Sequence, residues 1–362
     1  MRTANGRDGQ ASGVRRALLR WYGRRRRDLP WRRTRDPYRI WIAEVILQQT
    51  QAGRGAEYYE RFVERFPDVS TLARAELDDV LQAWAGLGYY ARARNLHAAA
   101  RRIVERFGGR IPDTYEDLRS LPGIGDYIAS AILSMAFGWP VAAVEANAIR
   151  IIARLVALRT PPQRAEGRRA IDAFAQALVA KGRAREINQA IMDLGATVCL
   201  PRRPDCPRCP LSRRCRAKAG GVQDELPVRP ARRRPRTYPV GVALIEGEGM
   251  VVLARREEGA ALGGLWELPG ARCNVGERLE ACVRRAVRES VGRSVRVRGK
   301  VLMMPYSISG AHLRIHVFRC RFRGQQPGAD PAGQWRWVTW ESALGEYGLS
   351  SAVRRLLEEI RA

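Results

Sequence analysis

No apolar run in the sequence reaches the roughly 18 residues that a bilayer span requires. The opening segment, Met1 to Gly13, is polar and charged and lacks the apolar stretch of a secretory signal. A cytoplasmic protein with no membrane partner is therefore expected. Lysine is almost missing: Lys181, Lys218 and Lys300 are the only three in 362 residues. Evenly spread cysteine is missing too. Of the seven cysteines, four fall between Cys199 and Cys215, and Cys273, Cys282 and Cys320 are scattered. A secreted disulfide scaffold would spread its cysteines through a much shorter chain, so the clustering favours a metal or cluster site in a reducing compartment.

What is abundant is positive charge: 64 basic against 37 acidic residues, a net +27. This favours a polyanion partner, because phosphate binding by counterion release needs basic groups in number. A bias toward arginine contributes to the same total. The length favours two or more domains, and 46% hydrophobic residues suffice for a sizeable core.

Residues 1–13 are expected to be disordered, and residues 14–218 read as almost entirely helical. Period-3.6 patterns recur there, as in Ile42, Val45, Ile46 and Gln49 within Tyr38–Gln51. Helices are expected over Ala91–Phe107, Asp126–Phe137, Asn147–Leu158 and Ile187–Val198. Residues 219–236 have linker composition, with Gly220-Gly221, several prolines and the run Arg232-Arg233-Arg234. Residues 237–362 then show strand-like runs, Val240–Leu244, Val251–Ala254, Val295–Val301 and Leu313–Phe322, around a helix from Arg278 to Val291. This part is expected to be a separate α+β domain.

Two local patterns carry chemistry. Cys199, Cys206, Cys209 and Cys215 have the spacing C-x6-C-x2-C-x5-C in a loop stiffened by Pro201, Pro204, Pro207 and Pro210. Thiolates suit an iron–sulfur cluster or zinc, and the spacing leaves both open. Arg202, Arg203, Arg208, Arg213 and Arg214 would present positive charge to a phosphate backbone. Upstream, Leu121-Pro122-Gly123-Ile124-Gly125 precedes an apolar helix starting near Asp126. Gly123 and Gly125 permit close main-chain approach, and the helix N-terminus points free amides at an anion.

The cysteine spacing together with the hairpin resembles the endonuclease III and MutY superfamily of DNA glycosylases. Further segments resemble the MutY-type adenine glycosylases: Leu29-Pro30-Trp31-Arg32, Trp41 to Gln51, Gly86 to Arg92 and Asn188 to Gly195. The resemblance implies an all-α helix-hairpin-helix glycosylase domain with a structural [4Fe–4S] cluster on the four cysteines. It also implies Glu44 as the general acid that protonates adenine and helps activate water. A carboxyl in a dry pocket can hold its proton near neutrality; read as a residue alone, Glu44 shares a solvated helix face with Gln48 and Gln51. Gln49, Thr50, Leu87 and Tyr89 match positions that wedge into the duplex as the base flips out. Trp31, Arg32, Gln189, Gly123 and Gly125 fall in the segments expected to bind DNA. Bifunctional relatives carry a Schiff-base lysine where this chain has Tyr127, which implies a monofunctional enzyme.

The chain departs from the family at Val144-Glu145-Ala146-Asn147, where the family has Val-Asp-Gly-Asn. Glu145 keeps the charge that stabilises the sugar cation but adds a methylene, and Asn147 is retained. The C-terminal part resembles the Nudix-like domain of the family through Gly264 to Gly270. Ala286, Glu289 and Ser290 stand where active Nudix hydrolases cluster glutamates, so nucleotide hydrolysis is not expected. The family's Phe-Ser-His lesion-reading loop aligns with Ile308-Ser309-Gly310, in which Ser309 alone survives, with His312 nearby. The resemblance implies excision of adenine from A:8-oxoguanine or A:G mispairs in double-stranded DNA by a monomer. Rival readings are a glycosylase with another mismatch preference, a catalytically weak lesion-binding protein, and a Nudix hydrolase with a DNA-binding extension.

Overall fold

The computed structural model describes residues 4–179, 182–228, 236–257, 263–308, 311–324, 328, 330 and 333–361. The chain gathers into two compact units, residues 1–74 with 95–232 and residues 75–94 with 233–362.

The first unit is helical. It holds α1 (Ala4–Arg25), α2 (Pro37–Ile46), α3 (Ala52–Arg65) and α4 (Val69–Arg74). After α5 (Leu77–Ala83), which belongs to the other unit, come α6 (Ala91–Phe107) and α7 (Tyr115–Arg119). The set is completed by α8 (Asp126–Met135), α9 (Ala146–Val156), α10 (Ala165–Val179), α11 (Ala184–Thr197) and α12 (Arg216–Ala219). The expectation of disorder over residues 1–13 is corrected: α1 already begins at Ala4. Ala11, Val14, Leu18 and Tyr22 recur at helical spacing and are buried in the core with residues of α10 and α11.

Helix α2 starts where Pro37 takes the first helical position and the Asp36 carboxylate accepts from Tyr38 N at 2.9 Å. It is apolar nearly all round, and Tyr38 and every residue from Ile40 to Ile46 is buried, Glu44 included. The helix stops at Ile46, and Gln49 adopts a left-handed backbone with φ 61°. The expected polar face of Glu44, Gln48 and Gln51 is therefore not formed, because the three do not share one helix.

The segment read as a linker is ordered at its start. Val222 N donates to Ala217 O at 2.9 Å, and Leu226 is buried. The arginine run Arg232–Arg234 lies outside the described residues, as does Ser309.

The second unit carries β1 (Thr237–Gly247), β2 (Met250–Arg255), β3 (Trp266–Glu267), β4 (Gly270–Arg272), α13 (Leu279–Val291), β5 (Val295–Ile308), β6 (Ala311–Phe322) and β7 (Trp335–Thr339). It ends in α14 (Trp340–Gly345) and α15 (Ser351–Arg361). The mixed sheet runs β3-β2-β1-β6-β5, with β4 paired to β1 and β7 to β2, and β1 lies parallel to β6. Strict alternation along β1 sorts its side chains between two cores. Val242 and Leu244 join the core that includes Leu356 and Leu357 of α15, and Ala243 and Ile245 the one with Val283 and Val287 of α13. Residues 75–94 belong here: Tyr90 Oη donates to Leu349 O at 2.7 Å and Arg94 Nη1 to Gly263 O at 2.6 Å. Among the described residues no helix is long and apolar enough to cross a membrane.

Candidate active site

A cavity of about 740 Å³ opens in the first unit, with Trp31, Arg32, Glu44, Tyr127, Glu145 and Asn147 among its lining residues. Those six come from the turn before α2, α2 itself, the start of α8 and the start of α9, and the turn after α2 and one face of α11 complete the wall.

Glu44 is 4% exposed, and burial pushes its carboxyl up to about 7. Tyr127 Oη donates to Glu44 Oε2 at 2.5 Å, which favours the charged form and opposes part of that rise, while the negative charge of Glu145 adds to it. The result is a carboxyl that holds a proton near neutral pH and faces a cavity.

Glu145 caps α9. Its Oε2 accepts from Asn147 N at 2.7 Å and its Oε1 from Ala148 N at 3.2 Å. Burial raises its pKa, and these amides favour the ionised form. The amides thus oppose part of the rise that burial causes, at the cavity wall. Asn147 is positioned from behind: Arg150 Nη2 donates to its Oδ1 at 2.6 Å and to Gly195 O at 2.8 Å. A Cβ at Gly195 would lie 2.4 Å from that of Asn147, so α11 needs glycine where it meets α9.

Arg150 and Arg154, one turn apart on α9, also grip the cysteine loop. Arg150 Nε donates to Cys199 O at 2.8 Å. Arg154, 2% exposed, sets Nη1 2.7 Å from Leu200 O and 3.3 Å from Cys199 Sγ. The four cysteines are free thiols, each partly buried. Among the described residues, the one set of three metal-ligating atoms within 4.8 Å of one another is Cys273, Glu277 and Cys282, in the second unit. The four loop thiols and the adjacent buried guanidinium of Arg154 form a donor set that suits an anionic metal–thiolate group.

The expected DNA contacts are distributed as follows. Trp31 is 6% exposed and packs edge-on to Tyr59 with ring centroids 5.5 Å apart. Arg32 forms a two-pronged ion pair with buried Asp193, Nη1 to Oδ2 at 2.5 Å and Nη2 to Oδ1 at 2.8 Å. Gln189 accepts from Tyr22 Oη at 2.6 Å and lines the cavity. Gln49 and Thr50 lie on the turn at its rim. Gly123 has φ 75°, and a Cβ there would come within 2.7 Å of Asn95 Cβ, so glycine is required on both counts. Gly125 caps α8. Leu87 and Tyr89 belong to the second unit; Tyr89 is 45% exposed with φ 49°. Gln49 and Tyr89 are thus both non-glycine residues in the left-handed region, as are Ala157, Arg183, Arg203 and Glu248.

In the second unit His312 Nδ1 pairs with Ser307 Oγ at 2.7 Å. Glu289 is paired with Arg285 at 3.1 Å, and Ser290 Oγ donates to Ala286 O at 2.8 Å. Sequence reasoning missed Asp193, fully buried, whose carboxylate also takes Arg27 Nε at 2.5 Å. The available signal was an acid between Met192 and Leu194 on a helix whose neighbours are apolar. It also missed Arg150 and Arg154, whose spacing on an otherwise apolar helix face was the clue.

Residues 42–178 match the model of the HhH-GPD superfamily base excision DNA repair proteins, and residues 240–359 match that of the NUDIX domain. The chain is 32% identical to the adenine DNA glycosylase of Homo sapiens, in an alignment covering 92% of this chain and 71% of the human protein. It is 37% identical to the thymine-DNA glycosylase of Aeropyrum pernix, covering 57% of this chain and 95% of that one. A solved thermostable thymine-DNA glycosylase superposes with a TM-score of 0.54 at 30% identity, over 59% of this chain and 98% of that one. With a helical repair domain, a NUDIX domain after it in the sequence and this similarity along nearly its whole length, the chain belongs to the adenine DNA glycosylases, hydrolases of N-glycosyl bonds in DNA base excision repair.

Proposed function

We propose that the enzyme removes adenine mispaired with 8-oxoguanine or with G, as a monofunctional glycosylase acting on double-stranded DNA as a monomer. The observation that carries this reading is the buried Glu44 carboxyl, raised to about 7, beside Tyr127 in a cavity of about 740 Å³.

Protonated Glu44 gives its proton to a ring nitrogen of the flipped adenine, which lets the base leave with the electron pair of the glycosidic bond. The sugar is left as an oxocarbenium-like cation. Glu145, whose ionised form the α9 amides favour, supplies the opposing charge, and Asn147 orients beside it. Glu44, now a carboxylate, takes a proton from the attacking water. Trp31, Arg32, Gln49, Thr50 and Gln189 line the cavity where the base and its backbone enter. Leu87 and Tyr89 wedge into the duplex, and Gly123 and Gly125 bring the amides of α8 to a phosphate. Ser309 would contact the opposite base.

Cys199, Cys206, Cys209 and Cys215 hold a [4Fe–4S] cluster, whose contribution is structural: it organises the loop that Arg150 and Arg154 tie to α9. The likeness to thymine-DNA glycosylases supports a second reading in which a mispaired thymine is released instead. Single-turnover base release from duplexes pairing A with 8-oxoguanine, G, C and T, and T with G, distinguishes the two. Release of adenine fastest opposite 8-oxoguanine is expected; release of thymine alone would replace the first reading with the second.

A further inference from the structure

We infer that Cys273, Glu277 and Cys282 form a binding site for zinc, which ties the turn after β4 to α13. The site lies in the second unit, and the inference does not depend on which base the enzyme excises.

The three residues share a short stretch of chain, with the spacing C-x3-E-x4-C. Cys273 follows the end of β4, and its N donates to Pro239 O at 3.0 Å. Glu277 closes the exposed turn at residues 274–276, where its N donates to Asn274 O at 3.1 Å. Cys282 lies in the first turn of α13. One ligand atom from each residue stands within 4.8 Å of the other two. Sulfurs bound to one tetrahedral zinc at about 2.3 Å are about 3.8 Å apart, so the set needs to close by no more than about 1 Å.

Both thiols are free and buried, Cys273 at 7% exposed and Cys282 at 0%. Gly241 of β1 makes room for the second: a Cβ there would stand 2.9 Å from Val283 Cγ2 and 3.2 Å from Cys282 Sγ. Hydrogen bonds link Cys273 to Cys282 and Cys282 to Glu277. A zinc ion takes the place of the thiol protons that bridge the three, and each sulfur releases its proton to solvent as it binds.

Glu277 is fixed as a ligand must be. Its Oε2 accepts from Asn274 N and from Arg285 Nη2, both at 2.8 Å, and its Oε1 from Arg285 Nε at 2.9 Å. Metal-bound carboxylates are held by neighbouring donors in this way, and three donors leave one of the roughly four acceptor sites for the ion. Charge selects a dication. Two thiolates and a carboxylate carry three negative charges, which a dication balances together with Arg285, whose Nη2 lies 3.8 Å from Cys282 Sγ. Thiolates are soft ligands, which favours zinc over magnesium or calcium. A water from the side of the exposed turn completes the tetrahedron. The hard-ligand set has meanwhile gone from the same helix. Ala286, one turn beyond Cys282, and Ser290 stand where active Nudix hydrolases cluster glutamates, and Ser290 Oγ donates to Ala286 O. Helix α13 thus exchanges a catalytic cation for a structural one.

The test supplies the purified full chain with zinc chloride, dialyses it against zinc-free buffer and compares it with a Cys273→Ala/Cys282→Ala protein treated alike. Elemental analysis counts zinc and iron in each sample, and X-ray absorption fine structure at the zinc edge reads the ligands. Wild type is expected to keep about one zinc per chain, with two sulfurs at about 2.3 Å and two oxygens at about 2.0–2.2 Å. The double variant should lose that zinc and keep its iron. No zinc in wild type, or equal zinc in both proteins, would overturn the inference. So would a wild-type shell of four sulfurs and no oxygen, which would place the zinc in the loop at residues 199–215. The wild-type shell is decisive by itself if the variant does not fold.

Discussion

Tyr127 donates its hydroxyl to Glu44 Oε2 at 2.5 Å, the one hydrogen bond that favours the charged form of a carboxyl otherwise raised by burial. In the proposed role of acid Glu44 must carry its proton, so base release is expected to fall as pH rises through about 7. Tyr127→Phe removes the bond, raises the carboxyl further and moves this alkaline limb to higher pH. The pH profile of single-turnover release checks it; a limb that stays in place, or moves down, removes Glu44 from the acid's role.

Glu44→Gln is expected to abolish base release and leave duplex binding nearly intact, because affinity comes mainly from phosphate contacts. It should also stabilise the fold at alkaline pH. A carboxyl at about 7 in the folded protein and 4.5 in the unfolded chain contributes stability that is full below 4.5 and lost as pH rises through 7. The neutral amide escapes that loss, worth up to about 3 kcal/mol. Thermal melts at pH 5 and pH 8 should show the variant's advantage at pH 8 alone, and an advantage equal at both would contradict the assignment.

Glu145→Gln is expected to lose about 10²–10³ in rate, since the sugar cation loses its counter-charge. It should also lose about 1 kcal/mol of stability, since the α9 cap is weakened. Glu145→Asp keeps cap and charge and should be neutral or slower, because the cavity is built around the longer side chain. A faster Glu145→Asp protein would mean that the cavity has not adapted, and base release absent from all three proteins would leave a lesion-binding protein.

Purified protein should be yellow-brown, with broad absorbance near about 400 nm. Iron analysis should find about four irons per chain. One zinc and no iron would exclude the cluster. Borohydride should trap no covalent adduct with DNA, because Tyr127 offers no amine; a substantial adduct would assign a lyase activity to one of the three lysines.

The helical unit was legible because its core stripes repeat at helical spacing, as do Ala11, Val14, Leu18 and Tyr22 once α1 is extended. That extension was missed because arginine and glycine mask the apolar positions early in α1. Glu44 shows the opposite limit. Its burial cannot be read from α2, which carries apolar residues nearly all round, until α8 brings Tyr127 against it. The Asp193 pair was invisible because its partners Arg27 and Arg32 lie more than 160 residues away. The short strands β3, β4 and β7 and the helices α14 and α15 were not singled out. The two residues of β3 and three of β4 carry no periodicity, and a helix such as α15 reveals its apolar face once the sheet beneath it is known.

Residues 75–94 fold with the C-terminal half of the chain, so the polypeptide changes unit three times. The two units are therefore not two consecutive stretches of chain divided at residue 233. A lineage that lost or exchanged the C-terminal sheet would strand Tyr90, whose hydroxyl bonds to Leu349, along with the exposed Tyr89 beside it. Truncating the chain at residue 233 would therefore remove the partner of the Tyr90 hydroxyl and leave residues 75–94 without the sheet they fold with.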